Sequence, residues 1–130
     1  DELNVKDMAD ATTLFTGMKD FRSFGMAEKD DSSTLVKLQT VKLFEVDDSI
    51  LVHIVGSHFL WKMVRRVVGT LVEVGRGSIT GDDIQRLFSE YSEQPARFTV
   101  PPSGLYLERV YYPGDKIADE PEWLMNISHH

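Results

Sequence analysis

One stretch of the chain, residues 59–74, carries apolar side chains at helical spacing and constrains the fold more than any other segment. Its apolar residues are Phe59, Leu60, Met63, Val64, Val67, Val68, Leu71 and Val74. Such a stripe is typical of a helix with one buried face. Gly75-Arg76-Gly77 follows the stripe, and glycine is the usual residue just after a helix ends. The sequence therefore predicts a long helix that opens at Gly56-Ser57 and closes at Gly75.

Two β-strands are predicted before this helix. Apolar and polar residues interleave from Leu35 to Val46, with a slip near Thr40 to Lys42 that indicates a bulge or a break. The run from Ile50 to Val55 alternates in the same way, and Asp47-Asp48 between the two runs is a turn signal. We therefore expect the two strands to pair as an antiparallel hairpin.

Three further elements complete the predicted fold. One helix begins at Asn4 and ends before Gly17, and another begins at Thr80 with Asp83 in the position of a capping box. The apolar face of this second helix is expected to comprise Ile84, Leu87, Phe88 and Tyr91. A final strand is predicted from Leu105 to Tyr112. This order of elements predicts the α+β class, with an antiparallel β-sheet and helices packed on one face.

Composition narrows the class of protein. The chain has 130 residues, of which 42% are apolar and 27% charged, the balance of a single globular domain. It contains no apolar run long enough to cross a bilayer, so no membrane association is expected. Cysteine is absent, which excludes disulfides and thiolate metal sites. His53 and His58 have no second ligand at metal-site spacing, so no metal is expected.

The charge is negative overall but unevenly distributed. A formal net charge of −7 argues against nucleic-acid binding, because phosphates are neutralised by Lys and Arg. The stretch from Ser57 to Arg76 is positively charged instead. It carries Lys62, Arg65, Arg66 and Arg76 against Glu73 alone. A local basic surface on an acidic chain is therefore expected.

Arg65 is the residue in this stretch that most needs an explanation. On the predicted helix it lies one turn from Trp61 and from Gly69, so we expect it to be at least partly buried. No acidic residue stands three or four positions away, so a buried guanidinium needs a partner from elsewhere in the fold or from another chain. From spacing alone, a structural ion pair or a side chain that extends to water is the simpler interpretation.

Lys62 and Arg66 are like charges one helical turn apart. This arrangement costs roughly 0.2–0.5 kcal/mol unless an anion lies across the two side chains. RNA phosphate is one such anion, and a solvated surface stripe is the commoner explanation.

Residues 56–77 read GSHFLWKMVRRVVGTLVEVGRG. This segment closely resembles the G-x-x-F-L-x-x-M-V-R-x-x-V-G segment of the TruA family of tRNA pseudouridine synthases. Downstream, Pro102 to Leu107 resembles that family's A-x-G-L-Y-L segment. Upstream, Gly17 to Phe21 resembles its G-x-H-D-F segment, with Lys19 where His is usual. The three segments occur in the family's order and cover roughly residues 5–113.

The resemblance implies a reaction. These enzymes break the glycosidic bond of a uridine and rejoin the base through carbon, without cofactor or metal. Their nucleophile is an aspartate in an R-T-D-x-G-V-H segment, which this chain does not contain. Residues 1–113 are therefore expected to be the C-terminal half of the catalytic domain, inactive without an N-terminal half that supplies the aspartate. The polar tail at residues 114–130 is compatible with disorder.

The resemblance also implies roles for particular residues. Arg65 matches the arginine that pairs with the nucleophilic aspartate, and Leu105 matches the leucine that lines the uracil pocket. Lys62, Arg66 and Arg76 are further candidates for phosphate contacts, which no motif assigns. The implied partners are the anticodon stem-loop of tRNA and a second copy in a homodimer, with a cytoplasmic location. The alternative is a non-catalytic α+β domain that binds RNA or protein through the same basic helix.

Overall fold

The computed structural model describes residues 3–27 and 33–98 in full and the backbone of residues 105–111. Its helices are α1 (Val5–Ala11), α2 (Met63–Gly75), α3 (Gly81–Ser89) and α4 (Gln94–Arg97), and a 3-10 turn, Thr12–Phe15, follows α1. Its strands are β1 (Gly17–Asp20), β2 (Leu35–Val46), β3 (Ser49–Gly56) and β4 (Leu105–Tyr111). The expected tail at 114–130 lies outside the described residues. Within the described ranges, no helix is long and apolar enough to cross a membrane.

The predicted hairpin is confirmed. β2 and β3 pair antiparallel across the turn at Asp47-Asp48, with Val46 opposite Ser49. The bulge lies between Leu38 and Thr40, at the edge of the slip expected near Thr40 to Lys42. Asp47 has a φ of 56°, a left-handed conformation that Asp tolerates better than most residues. The alternation of apolar and polar residues therefore identified both strands, and the turn signal at Asp47-Asp48 identified their antiparallel pairing.

The described strands form one mixed sheet in the order β1-β2-β3-β4. β1 pairs antiparallel with β2, so the first three strands follow the expected antiparallel arrangement. The exception is β4, which pairs parallel with β3, from Leu105 opposite Ile50 to Tyr111 opposite Gly56. A parallel partner requires a crossover connection, and the segment with α2, α3 and α4 provides it. The α+β class is confirmed, with one parallel pair at the edge of the sheet.

The core lies between the helices and one face of the sheet. On β2 the buried residues alternate with exposed ones, whereas β3 is buried along most of its length. Four aromatic rings, those of Phe15, Phe21, Phe24 and Phe88, meet with centroid separations of 5.0–5.8 Å. These rings link α3 to the segments around β1, and such clusters contribute beyond their buried area.

Two predicted helix starts are confirmed by their caps. The Asn4 side chain accepts a hydrogen bond from the Asp7 N–H at 3.0 Å, and α1 begins directly after Asn4. Thr80 and Asp83 form the reciprocal capping box at the start of α3. Tyr91, expected on the apolar face of α3, lies beyond its end at Ser89 and is exposed.

The start of the long helix was predicted wrongly. α2 begins at Met63, seven residues after Gly56. In the intervening segment, the Ser57 N–H donates to the Lys37 carbonyl at 2.9 Å, and Trp61 exchanges two backbone hydrogen bonds with Met26. Because these backbone groups pair with distant segments, they are not available to an α-helical ladder. The apolar residues Phe59 and Leu60 therefore pack from an irregular segment before the helix.

Candidate active site

The candidate site is the first turn of α2 and the residues just before it. Lys62 precedes the helix, Arg65 lies in its first turn, and Arg66 is the next residue. Lys62 and Arg65 are exposed and Arg66 is half-buried. The fold thus brings three of the five predicted site residues together at one helix end.

Arg65 differs from the expectation in its burial. It is exposed, and Trp61, expected to flank it on the helix, precedes the helix and is itself 56% exposed. Among the described residues, no carboxylate pairs with its guanidinium. Of the two simpler interpretations, an internal ion pair has no partner in the described ranges, whereas a side chain that extends to water agrees with the exposure of Arg65. The guanidinium is accessible to an anion from outside them.

Lys62 has an unusual backbone. Its φ is 63°, one of two positive values among the described non-glycine residues, and its side chain forms no cap for α2. The Lys62 Nζ lies 4.4 Å from the centroid of the Trp61 ring, a cation–π contact. A left-handed lysine is a strained choice at a position where glycine or asparagine is usual.

Arg66 is tied into the helix by its backbone. Its N–H donates to the Lys62 carbonyl at 3.2 Å, and its carbonyl accepts from the hydroxyl of buried Thr70 at 2.7 Å. The Arg66 side chain has no ion-pair partner among the residues with described side chains. Its role in binding phosphate stays a prediction.

Arg76 lies at the other end of α2. It is eleven residues beyond Arg65, about 16 Å along a helix axis. Its guanidinium pairs with the Glu73 carboxylate at 2.5 Å, and the Ser78 hydroxyl donates to the same carboxylate at 2.6 Å. The structure therefore does not bring Arg76 to the start of the helix, and it places a carboxylate against its charge.

Leu105 is described by its backbone alone. It begins β4 and pairs with Ile50, while the segment that leads to Arg65 leaves β3 at Gly56. The two positions on β3 are six residues apart, about 20 Å of extended chain. The register thus places Leu105 at the opposite end of β3 from Gly56, and its role in a pocket stays a prediction.

The electrostatics of the α2 start oppose helix formation. The first turn of α2 contains no acidic residue, and cations near a helix N-terminus typically cost about 0.3–1 kcal/mol each. The start of α3 has the opposite pattern, with Asp82 and Asp83 in its first turn and the Thr80 cap. An anion at the start of α2 would be attracted both by the side-chain cations and by the positive end of the helix.

Sequence reasoning did not single out Gly25, which lies against this segment. A Cβ atom at Gly25 would lie 2.7 Å from the Leu60 Cβ and 2.9 Å from both the Met63 Cβ and the Trp61 carbonyl oxygen. The segment after β1 therefore touches the start of α2 through backbone that has no room for a side chain. No local sequence signal indicates this contact, because it joins segments far apart in the chain.

Comparison with known proteins gives the family. A family model described as tRNA pseudouridine synthase matches residues 11–113. The chain belongs to the tRNA pseudouridine synthase family. Its start of α2, with Arg65, lies inside the matched range.

Individual family members show how much of the length is shared. The chain is 34% identical to tRNA pseudouridine synthase A of Clostridium botulinum over 111 residues, which are 85% of this chain and 46% of that protein. It is 37% identical to tRNA pseudouridine synthase A of Exiguobacterium sibiricum over 114 residues, 88% of this chain and 46% of that protein. It is 36% identical to tRNA pseudouridine synthase A of Bacillus subtilis over 110 residues, which are 85% of this chain and 44% of that protein. The chain spans about half the length of these relatives.

Proposed function

We propose that the complete gene product containing this chain isomerises uridine to pseudouridine in the anticodon stem-loop of tRNA. Membership of the tRNA pseudouridine synthase family over residues 11–113 supports the class of reaction. The observation that carries the proposal is Arg65, an exposed arginine in a basic first turn with no carboxylate partner among the described residues.

The proposed role of Arg65 is to pair with the carboxylate of the nucleophilic aspartate. Its guanidinium pairs with a nucleophilic aspartate, keeps that aspartate ionised and aims it at the nucleotide. The aspartate comes from a second half of the protein, because the chain contains no R-T-D-x-G-V-H segment and spans about half the length of its relatives. The glycosidic bond then breaks, and the base rejoins the ribose through carbon.

The other site residues contribute to binding in this proposal. Leu105 packs against the uracil ring after the nucleotide leaves its stack. Lys62 and Arg66 contact RNA phosphates beside Arg65, and Arg76 contacts a more distant phosphate only by giving up its pair with Glu73. By resemblance to the family, the enzyme works as a cytoplasmic homodimer.

The test is tritium release from tRNA labelled in its uridines, measured for the complete gene product and two variants. We expect Arg65→Ala to lower the rate roughly a hundred-fold or more, as removal of an electrostatic group from a reaction centre does. Arg86→Ala is the matched control. Arg86 is an exposed arginine that ion-pairs with Asp83 on α3, so its loss leaves the rate unchanged.

The outcomes separate the hypotheses. Full activity in a folded Arg65→Ala variant refutes the role of Arg65. No release by the folded parent protein on bulk tRNA refutes the proposed activity on tRNA and favours the non-catalytic binding domain or a different RNA substrate.

A further inference from the structure

Trp61 is the largest side chain that the described part of the chain leaves exposed. Its relative exposure is 56%, although an indole ring is normally among the more buried groups of a protein. It lies directly before Lys62 and four residues before Arg65. An indole that does not enter the core, at this position, is available to a ligand.

The backbone that carries this ring is fixed. Trp61 and Met26 exchange backbone hydrogen bonds of 3.0 and 3.2 Å, which join the segment to the residues after β1. Gly25 packs directly on the Trp61 carbonyl, and the left-handed Lys62 follows. The ring is thus presented from an anchored segment, as a binding group needs to be, and not from a free loop.

The surroundings of the ring are cationic. The Lys62 ammonium lies 4.4 Å from the ring centroid, and residues 57–66 contain three Lys and Arg residues and no carboxylate. A nucleotide combines a flat base with a negative phosphate. An aromatic ring beside cations matches both parts, and this combination is how proteins hold unpaired nucleic-acid strands.

We propose that Trp61 stacks on an unpaired base of the RNA substrate, in a nucleotide next to the target uridine, while Lys62 contacts the phosphate. The inference rests on the proposed function, because Arg65 marks the position of the target. Four residues span at most about 14 Å, so Trp61 reaches a neighbouring nucleotide in the same strand. Because every base offers a flat face, the contact strengthens binding with little preference for base identity.

The kinetic test uses Trp61→Ala and Trp61→Phe in the complete gene product. We expect Trp61→Ala to raise KM for tRNA and to lower kcat/KM roughly ten- to a hundred-fold, with kcat nearly unchanged. Trp61→Phe is expected to keep most of the parent's kcat/KM, because a phenyl ring still stacks. Tyr91→Ala is the matched control, since Tyr91 is 59% exposed and lies beyond the end of α3. The Tyr91→Ala variant is expected to have the parent's KM and kcat.

A binding test is independent of turnover. The chain has two tryptophans, so Trp61 becomes the single fluorescent reporter when Trp123 and every tryptophan of the complete gene product outside this chain are replaced with phenylalanine. Unlabelled tRNA is expected to quench this fluorescence, and iodide is expected to quench it in the free protein. A ring that iodide cannot reach in the complete gene product is covered by protein, which overturns the inference.

The two proposals fail in different ways. If the parent releases tritium and Trp61→Ala has the same kinetic constants, the stacking inference alone is wrong. If Trp61→Phe is as impaired as Trp61→Ala, the indole has a structural role and the inference is also wrong. If the parent releases no tritium, the proposed function fails, and quenching of Trp61 by tRNA then supports or refutes stacking by itself.

Discussion

Replacing Gly25 with alanine tests whether the segment after β1 positions the start of α2. Gly25 is buried, and its added Cβ would lie 2.7 Å from the Leu60 Cβ and 2.9 Å from the Met63 Cβ and the Trp61 carbonyl. Neither Cβ belongs to the far end of a flexible side chain, so relief requires the backbones to separate. Overpacking of this kind costs typically about 1–3 kcal/mol.

The assay is thermal unfolding of the chain. A protein of 130 residues loses about 4 °C of melting temperature per kcal/mol, so Gly25→Ala should lower the Tm by roughly 4–12 °C. Gly81→Ala is the control. Its Cβ would lie 3.3 Å from the tip of the Leu14 side chain, and alanine favours the helix, so its stability should match or exceed the parent's. An unchanged Tm for Gly25→Ala would show that the two segments do not restrain one another.

Two further predictions concern the start of α3. Thr80→Ala removes the cap and half of the capping box, and should lower the free energy of unfolding in urea by about 1 kcal/mol, whereas no loss would show that the cap is dispensable. The backbone N–H of Thr80 and then the Arg86 side chain hold the pKa of Asp83 below its usual 3.8. Because this pKa is lower in the folded state, the ionised carboxylate stabilises the protein fully above pH 3.8. That stabilisation is lost as the pH falls from 3.8 through the lower pKa of the folded state. The Tm difference between the parent and Asp83→Asn should therefore shrink on acidification, and a constant difference would contradict the assignment.

Local signals in the sequence predicted the elements whose structure is decided locally. The alternation in Leu35–Val46, the turn at Asp47-Asp48 and the box of Thr80 and Asp83 each act over a few residues. The structure follows all of them. The family resemblance, which uses longer segments in a fixed order, likewise agreed with the family model over residues 11–113.

The sequence did not predict features decided by distant segments. Helical periodicity continues back to Phe59, but the bridge between Trp61 and Met26 delays the start of α2 until Met63. The burial of Arg65 was predicted wrongly for a related reason, because the prediction placed Trp61 beside it on a helix that Trp61 does not join. The direction of β4 is also non-local, since strand alternation gives no sign of whether a strand pairs parallel or antiparallel.

The starts of α2 and α3 show why the candidate site is where local rules fail. At α3, a threonine caps the helix, two aspartates follow and each choice stabilises the first turn. At α2, the residue before the helix is a left-handed lysine without a cap, and Arg65 and Arg66 follow without an acidic residue. Folding alone would favour an α3-like start at both places. The proposed function accounts for this unfavourable start beside an exposed indole: we expect an anionic partner outside the fold to neutralise the cations at the helix N-terminus.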